Sequence, residues 1–421
     1  RMHRFPGSGP AKPMHRPAGT EHVLVSRSLT HGRTEVNITR TCNCVACRRS
    51  IIVTQQTYGN IPGDTMQPLF ACPICRRTIS PQGETLQCPQ CGRSFPVANG
   101  IPDFSTRSHY WNQVSPEQMQ LLLEAAETHG YRYAVDKVLT AFTSPHMAGY
   151  VLGESRADFR CLLPLTRTSH VLDLGAGWGA VACTLAPITG AVTAVDTNPH
   201  TLRFVEIRAR QSGIRNLYPV RIDPLDDGRL PFPDDAFDIA IMNGVLEWVG
   251  EASTDLSPVQ AQMRCLQEVR RVLRPSGTLF VGIENRYAFG YFLGARDHSR
   301  VPYTSLMPRP LANVFTRLLL SRPYRTYTYS LQGYRQLLSA AGFTEPEPYI
   351  ALPSYRDPEY ILPATDDRAI AFLMQRRTAH VVDRVRRRIL NALFHPGTTS
   401  LGCKLLRAFS DSFLLVAEAV K

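Results

Sequence analysis

Lysine is almost missing from this 421-residue chain: only four of its 47 cationic residues are Lys, and the rest are Arg. Arginine enrichment can serve phosphate recognition. A GC-rich coding bias gives the same excess, so the enrichment selects no nucleic-acid function. Long apolar runs are lacking too: no window of ~18 apolar residues occurs, and no membrane-spanning helix is expected. The first residues lack a positively charged stretch leading into an apolar core, so no secretory leader is read and a cytoplasmic protein is expected. Acidic residues are scarce in one place. Residues 1–60 hold nine Lys+Arg against two Asp+Glu, which accounts for +7 of the net charge of +12. The basic excess therefore sits largely outside the part with apolar patterning, which weakens the case for a basic groove there.

Residues 1–66 are rich in Pro, Gly, Arg and Thr and have no sustained apolar period. They are expected to be disordered, or an upstream extension ahead of a start at Met66. Cys42, Cys44 and Cys47 lie here without a fourth ligand nearby. Beyond this segment, three units are expected: a compact unit at 67–105, a helical linker or cap at 106–164, and an α/β unit at 165–421. In the cap, Ser115-Pro116-Glu117-Gln118 reads as an N-cap, a Pro at N1 and a capping-box Gln. From His170 onward strand and helix alternate as HVLDLG, AVTAVD, LYPVRID, FDIAIMN and TLFVGIE. A strand follows Gly342, and SFLLVAEAV closes the chain. This is the pattern of a doubly wound parallel sheet covered on both faces. Insertions are expected at about 286–330 and 364–410.

Seven of the eleven cysteines fall between Cys42 and Cys91. Cys72-Pro-Ile-Cys75 and Cys88-Pro-Gln-Cys91 form two CxxC turns that aim four thiolates at one centre. Four thiolates make a closed tetrahedral zinc site with no open position, and so a structural one. A unit this small buries too little core to fold alone, so the metal would supply folding energy. FACPICRR, CPQCGRSFPV and NGIPDF resemble the zinc-ribbon partner proteins of tRNA and protein methyltransferases.

Val171-Leu-Asp-Leu-Gly-Ala-Gly-Trp-Gly-Ala180 is a strand running into a glycine loop, where backbone can approach a ligand closely. With Ala180 the loop also meets the GxGxxA dinucleotide fingerprint. Asp196, 21 residues after Gly175, can bind ribose in either case. Asp173 favours a methyl donor: it would repel a pyrophosphate but attract the ammonium and sulfonium of S-adenosylmethionine.

VLDLGAGWG, AVDTNP, LPFPDDAFDIAIMNGVLEWV and EVRRVLRPSGTLFVGIEN, in this order, resemble the class I S-adenosylmethionine-dependent methyltransferases. The branch they are nearest to is typified by ubiquinone and menaquinone biosynthesis. The resemblance implies a Rossmann-like sheet of seven strands with the last antiparallel, here behind an N-terminal zinc ribbon. It implies that Asp173, Gly175, Ala176, Gly177 and Gly179 hold the methionine part and Asp196 the ribose. An acid, Asp223 or Asp226, would approach the adenine, and Asn243 would line the donor pocket.

Glu284-Asn285-Arg286 follow the fifth strand and should face the ligand crevice. GIENRYAFGYFLGARDHS resembles an "ENR … G … DH" pattern of bacterial methyltransferases associated with surface-glycan biosynthesis, and the likeness extends weakly to ALPSYRDPEY. His298 is a candidate to take a proton from the acceptor, with Asp297 or Glu284 orienting it. The expected acceptor is a small-molecule, lipid-linked or glycan intermediate. One rival is an RNA methyltransferase using the ribbon and the cationic run at 376–388. Met242-Asn243-Gly244-Val245 in place of an NPPY tetrad argues against base-amine methylation of that type. A second rival is a non-catalytic binding module.

Overall fold

The computed structural model describes residues 24–30, 33–39, 67–82, 84–107, 113–223, 225, 229–251, 255–378 and 399–421. Cys42, Cys44, Cys47, Met66, Asp226 and the backbone of residues 379–398 lie outside them. The chain divides into two units, Arg1–Gly63 and Asp64–Lys421. In the first, β1 (Leu24–Thr30) and β2 (Arg33–Thr39) pair as an antiparallel hairpin within the segment expected to be disordered.

The second unit begins with a five-stranded antiparallel sheet of short strands in sequential order: β3 (Phe70–Ala71), β4 (Thr78–Gln82), β5 (Thr85–Gln87), β6 (Ser94–Ala98) and β7 (Ile101–Pro102). Both CxxC turns have the same backbone bonding. Cys72 N–H donates to Arg77 O and Arg76 N–H to Cys72 O; Cys88 N–H donates to Arg93 O and Gly92 N–H to Cys88 O. Each turn ends on a left-handed residue, Arg76 at φ 65° and Gly92 at φ 70°. The next element, Pro116–His129, starts with the capping box that the sequence predicts, Ser115 with Gln118.

The main sheet uses β8 (His170–Leu174), β9 (Ala191–Asp196), β10 (Leu217–Arg221), β11 (Phe237–Asn243), β12 (Leu273–Glu284), β13 (Glu347–Leu352), β14 (Tyr360–Pro363) and β15 (Ser412–Glu418). Their order is β10-β9-β8-β11-β12-β15-β13-β14. The first five run parallel, β15 runs antiparallel between β12 and β13, and β14 pairs antiparallel with β13. The central strands are almost continuously buried, as strands covered on both faces must be. The sheet has eight strands where seven are expected. The added one, β14, is a four-residue edge strand whose short Pro-bounded run carries no alternation to reveal it. The 286–330 insertion contains the helix Arg309–Leu320.

The ribbon and the sheet share one hydrophobic core, with Cys72, Ile79, Leu86, Phe95 and Phe104 in the same buried cluster as Leu172, Val220 and Phe232. Phe104 N–H donates to Arg221 O at 2.9 Å, and Arg221 Nη1 meets Asp103 Oδ2 at 2.7 Å on the free side of β10. Arg76 reaches Glu268 on the helix Pro258–Val272 at 2.7 Å, and Arg271 meets the same carboxylate at 2.8 Å. Burial pushes the Glu268 carboxyl up, but hydrogen bonds from Arg271 and Arg76 outweigh it and hold the group below its usual range.

Candidate functional site

The chain order reverses between β8 and β11, and in open α/β sheets ligands bind outside the carboxyl ends of the strands at that point. A cavity of about 430 Å³ opens there, within the range of small-molecule sites. Its floor is the loop after β8. Gly175, Gly177 and Gly179 adopt φ values of 66°, 50° and 74°, left-handed backbone that favours glycine. A Cβ on Gly175 would meet Val245 Cγ2 at 2.6 Å. Asp196 at the end of β9 braces the loop, its Oδ2 accepting from Gly177 N–H at 2.8 Å.

Asp173, Gly175, Ala176, Gly177, Asp196 and Asn243 all line this cavity. Gly179 does not; it sits behind the loop, where a Cβ would meet Val205 Cγ2 at 2.7 Å. Asp223 is not at the cavity either. Its carboxylate accepts from Thr106 N–H, Thr106 Oγ1 and Arg107 N–H at 2.6–3.0 Å. It therefore ties the ribbon's C-terminal tail to β10. Ile222 and Leu225 line the cavity beside it.

Asp173 is 2% exposed, and its Oδ2 has no hydrogen-bond partner. Burial pushes its carboxyl up to about 7, against the pull of the Arg156 guanidinium and with a further push from Asp196. Arg156 also lines the cavity, with its guanidinium 4.3 Å from the Tyr150 ring centroid and its buried Nη1 unpartnered. The sequence reading missed Arg156. It lies ahead of the first strand in a kinked helical turn, Glu154–Leu162, and no motif marks it. At the end of β11, Asn243 Nδ2 donates to Arg156 O at 3.3 Å, while its buried Oδ1 has no partner.

Tyr355, Arg356, Trp248 and His298 line another part of the cavity wall. His298 Nε2 stands 3.3 Å from Glu284 Oε2 and 3.7 Å from Glu247 Oε1. Glu284 Oε1 accepts from Arg356 Nη2 at 2.7 Å and from Tyr355 OH at 3.1 Å. Burial raises the Glu284 carboxyl, but His298 and Arg356 outweigh it and hold it at about 2. Glu247 has no exposed surface, and burial, reinforced by the Glu284 charge, holds its carboxyl well above the usual range. Glu247 was also missed, because in NGVLEWV it reads as one polar residue in an apolar turn. Asp297 does not orient His298. Its carboxylate accepts from Ser299 N–H, Thr304 Oγ1 and Tyr324 OH. Tyr324, Tyr327 and Tyr329 gather around Arg309, 3.7 Å from the Tyr327 centroid, as the core of the insertion.

The four ribbon cysteines converge, with Cys72 Sγ 3.6 Å from Cys91 Sγ and Cys75 Sγ 3.4 Å from Cys88 Sγ. All four are free thiols with sulfurs within 4.8 Å of one another. A tetrahedral ion with Zn–S bonds of about 2.3 Å separates its sulfurs by about 3.8 Å, so the cluster needs only a slight expansion to hold zinc.

Residues 172–281 match a family model described as "Methyltransferase domain", and residues 68–100 match one described as "Trm112p-like protein". A demethylmenaquinone methyltransferase of Tropheryma whipplei (strain Twist) is 34% identical over 120 residues, covering 28% of this chain and 44% of that protein. A ubiquinone biosynthesis O-methyltransferase of Xylella fastidiosa (strain 9a5c) is 28% identical over 172 residues, covering 39% of this chain and 64% of that protein. The chain thus spans less than two thirds of either relative. The crystal structure of the YcgJ protein from Bacillus subtilis overlaps 63% of this chain and 98% of its own at 18% identity, with a TM-score of 0.35.

Proposed function

We propose that this chain, a class I methyltransferase domain behind an N-terminal zinc ribbon, moves a methyl group from S-adenosylmethionine to a small-molecule, lipid-linked or glycan acceptor. One observation carries the donor assignment. Asp173 Oδ2 and Arg156 Nη1 are buried, unpartnered and of opposite charge, in one cavity beside a left-handed glycine loop. Such a pair fits the ammonium and carboxylate of an amino-acid moiety, since buried polar atoms ordinarily have partners. The acidic floor disfavours a pyrophosphate. Asp196, at the end of β9 and on the cavity wall, would take the ribose hydroxyls. Asn243 would line the donor pocket, and Ile222 and Leu225 offer an apolar wall for the adenine.

S-adenosylmethionine supplies an electrophilic methyl on a sulfonium and leaves as S-adenosylhomocysteine. The chain's part is to position the acceptor in line, exclude water and receive the acceptor's proton. The end of the cavity walled by His298, with Glu284 behind it, would do this. The insertion that carries His298 also presents Leu311, Val314, Phe315, Leu318 and Leu319 to solvent, which favours an acceptor with a hydrocarbon part. Zinc in the ribbon would act structurally through Cys72, Cys75, Cys88 and Cys91. The ribbon at 67–105, the helical cap at 106–164 and the catalytic domain at 165–421 would then work as one piece.

A Trm112p-like ribbon also invites an RNA acceptor. Against this, no described ribbon residue lines the cavity. Among the described residues, no helix is long and apolar enough to cross a membrane. Isothermal calorimetry with S-adenosylhomocysteine tests the donor site. One equivalent should bind, and Asp173→Asn should weaken binding at least about tenfold, the scale of a lost charge-assisted contact. Absence of binding by the unaltered protein overturns the reading.

A further inference from the structure

Four buried polar atoms without hydrogen-bond partners meet at one place: Glu247 Oε1 and Oε2, Glu284 Oε2 and His298 Nε2. They come from three separate segments, the turn after β11, the end of β12 and the insertion. A folded chain rarely strands one such atom. Two carboxyl groups and an imidazole arrive together, with His298 Nε2 at ion-pair distance from both acids but no well-formed hydrogen bond among these atoms, an arrangement that a bound cation would complete.

We infer that Glu247, Glu284 and His298 hold a divalent transition-metal ion at the acceptor end of the cavity. The spacings suit one. With metal–ligand bonds of about 2.1 Å, neighbouring ligand atoms lie about 3.0 Å apart around an octahedral ion and about 3.4 Å apart around a tetrahedral one. The observed separations from His298 Nε2 are 3.3 and 3.7 Å, and all three donor atoms lie within 4.8 Å of one another. One nitrogen and two carboxylate oxygens are the ligand set of zinc, manganese(II) or iron(II), and three protein ligands leave a position open.

The surroundings are those of a ligand shell. Glu284 Oε1 is fixed by Arg356 and Tyr355, which turns Oε2 toward His298 and Glu247. Carboxylate ligands in metal sites are commonly held this way. The Trp248 ring packs 4.5 Å from the His298 ring and limits its rotation. Of the three, His298 lies on the wall of the cavity shared with the donor loop, so an ion held beside it would sit next to that space. An oxygen of the acceptor, or a water, would occupy the open position, and the ion would then ease loss of that oxygen's proton in place of a free His298 base. The acceptor role rests on the methyl-transfer reading; ion binding does not.

Manganese(II) titration of the full chain, followed by the electron paramagnetic resonance of the free ion, tests this. A thiolate ribbon prefers zinc, so manganese reports the nitrogen–oxygen site. The expected result is one bound manganese per chain, competed by added zinc. Glu247→Gln and His298→Gln should each weaken binding at least tenfold while the sulfur-held zinc equivalent is retained. His298→Gln, on the cavity wall, serves where the buried Glu247→Gln does not give folded protein. Failure of the unaltered chain to deplete free manganese overturns the inference, as do both folded variants binding as it does. The titration is run without donor, so its failure is separate from failure of the calorimetric test of Asp173.

Discussion

Asp173 carries the most direct consequence at the scale of single residues. Burial holds its carboxyl near 7, so it is largely protonated below that pH and ionised above it. A cationic ligand group favours the ionised form, so donor binding should expel a proton at low pH and tighten as pH rises through about 7. Below the shifted value, affinity should change by up to about tenfold per pH unit. Calorimetry between pH 6 and 8 checks this, and Asp173→Asn should flatten the profile; a flat profile in the unaltered chain counts against the ionised aspartate as a ligand. Gly175 gives a steric counterpart. Its φ of 66° and the 2.6 Å approach to Val245 predict that Gly175→Ala weakens S-adenosylhomocysteine binding about five- to thirtyfold, from strain of one to two kcal/mol. Adding Val245→Ala should recover part of that loss in the same assay, because it removes the clash and leaves the strained φ.

The ribbon and the edge strand β10 set the account at the scale of elements. An unpaired strand edge invites association. Here the ribbon's tail covers it through Asp103, Phe104 and the bonds from Thr106 and Arg107 to Asp223. Because ribbon and sheet share a core, removing zinc with a strong chelator should lower the melting temperature of the whole unit. Independent melting of a ribbon that leaves the main transition unmoved would contradict the shared core. Arg76 and Arg271 converge on Glu268, which is 8% exposed. Glu268→Gln should cost about 2–3 kcal/mol at pH 7 in chemical denaturation. The Glu268 carboxyl lies below its usual range in the folded chain. Its contribution is therefore present above the unfolded value of about 4.5 and is lost as pH falls through the folded one, so the gap between the two proteins should narrow below pH 4.

On the scale of the whole molecule, what was legible in the sequence follows the range of the physics involved. HVLDL, AVTAVD and FDIAIMN show as strands because burial on both faces demands continuous apolar runs. The two CxxC turns show because four sulfurs must come from paired, closely spaced residues. Tyr360–Pro363 escaped because four residues at an edge carry too little pattern. Asp223, one of two acids the sequence offers for the adenine, lies off the cavity for a related reason. A strand-end position places an acid near the cavity, but only the folded ribbon tail reveals that Thr106 and Arg107 have already claimed it. Arg156 and Glu247 matter through their neighbours in space, and no spacing announces them. Glu284 and His298 could be named singly, but their meeting with Glu247 depends on how the insertion closes over β11 and β12.

The central claim is that this cavity moves methyl groups to a biosynthetic acceptor. Transfer of labelled methyl from S-adenosylmethionine by the full chain, into an extract of cells lacking it, tests that most directly. The extract is then separated into nucleic-acid, protein, lipid or glycan, and small-molecule fractions. Label in the lipid, glycan or small-molecule fraction that disappears with Asp173→Asn is the predicted result. Label removed by ribonuclease, or no label in any fraction, would contradict the account.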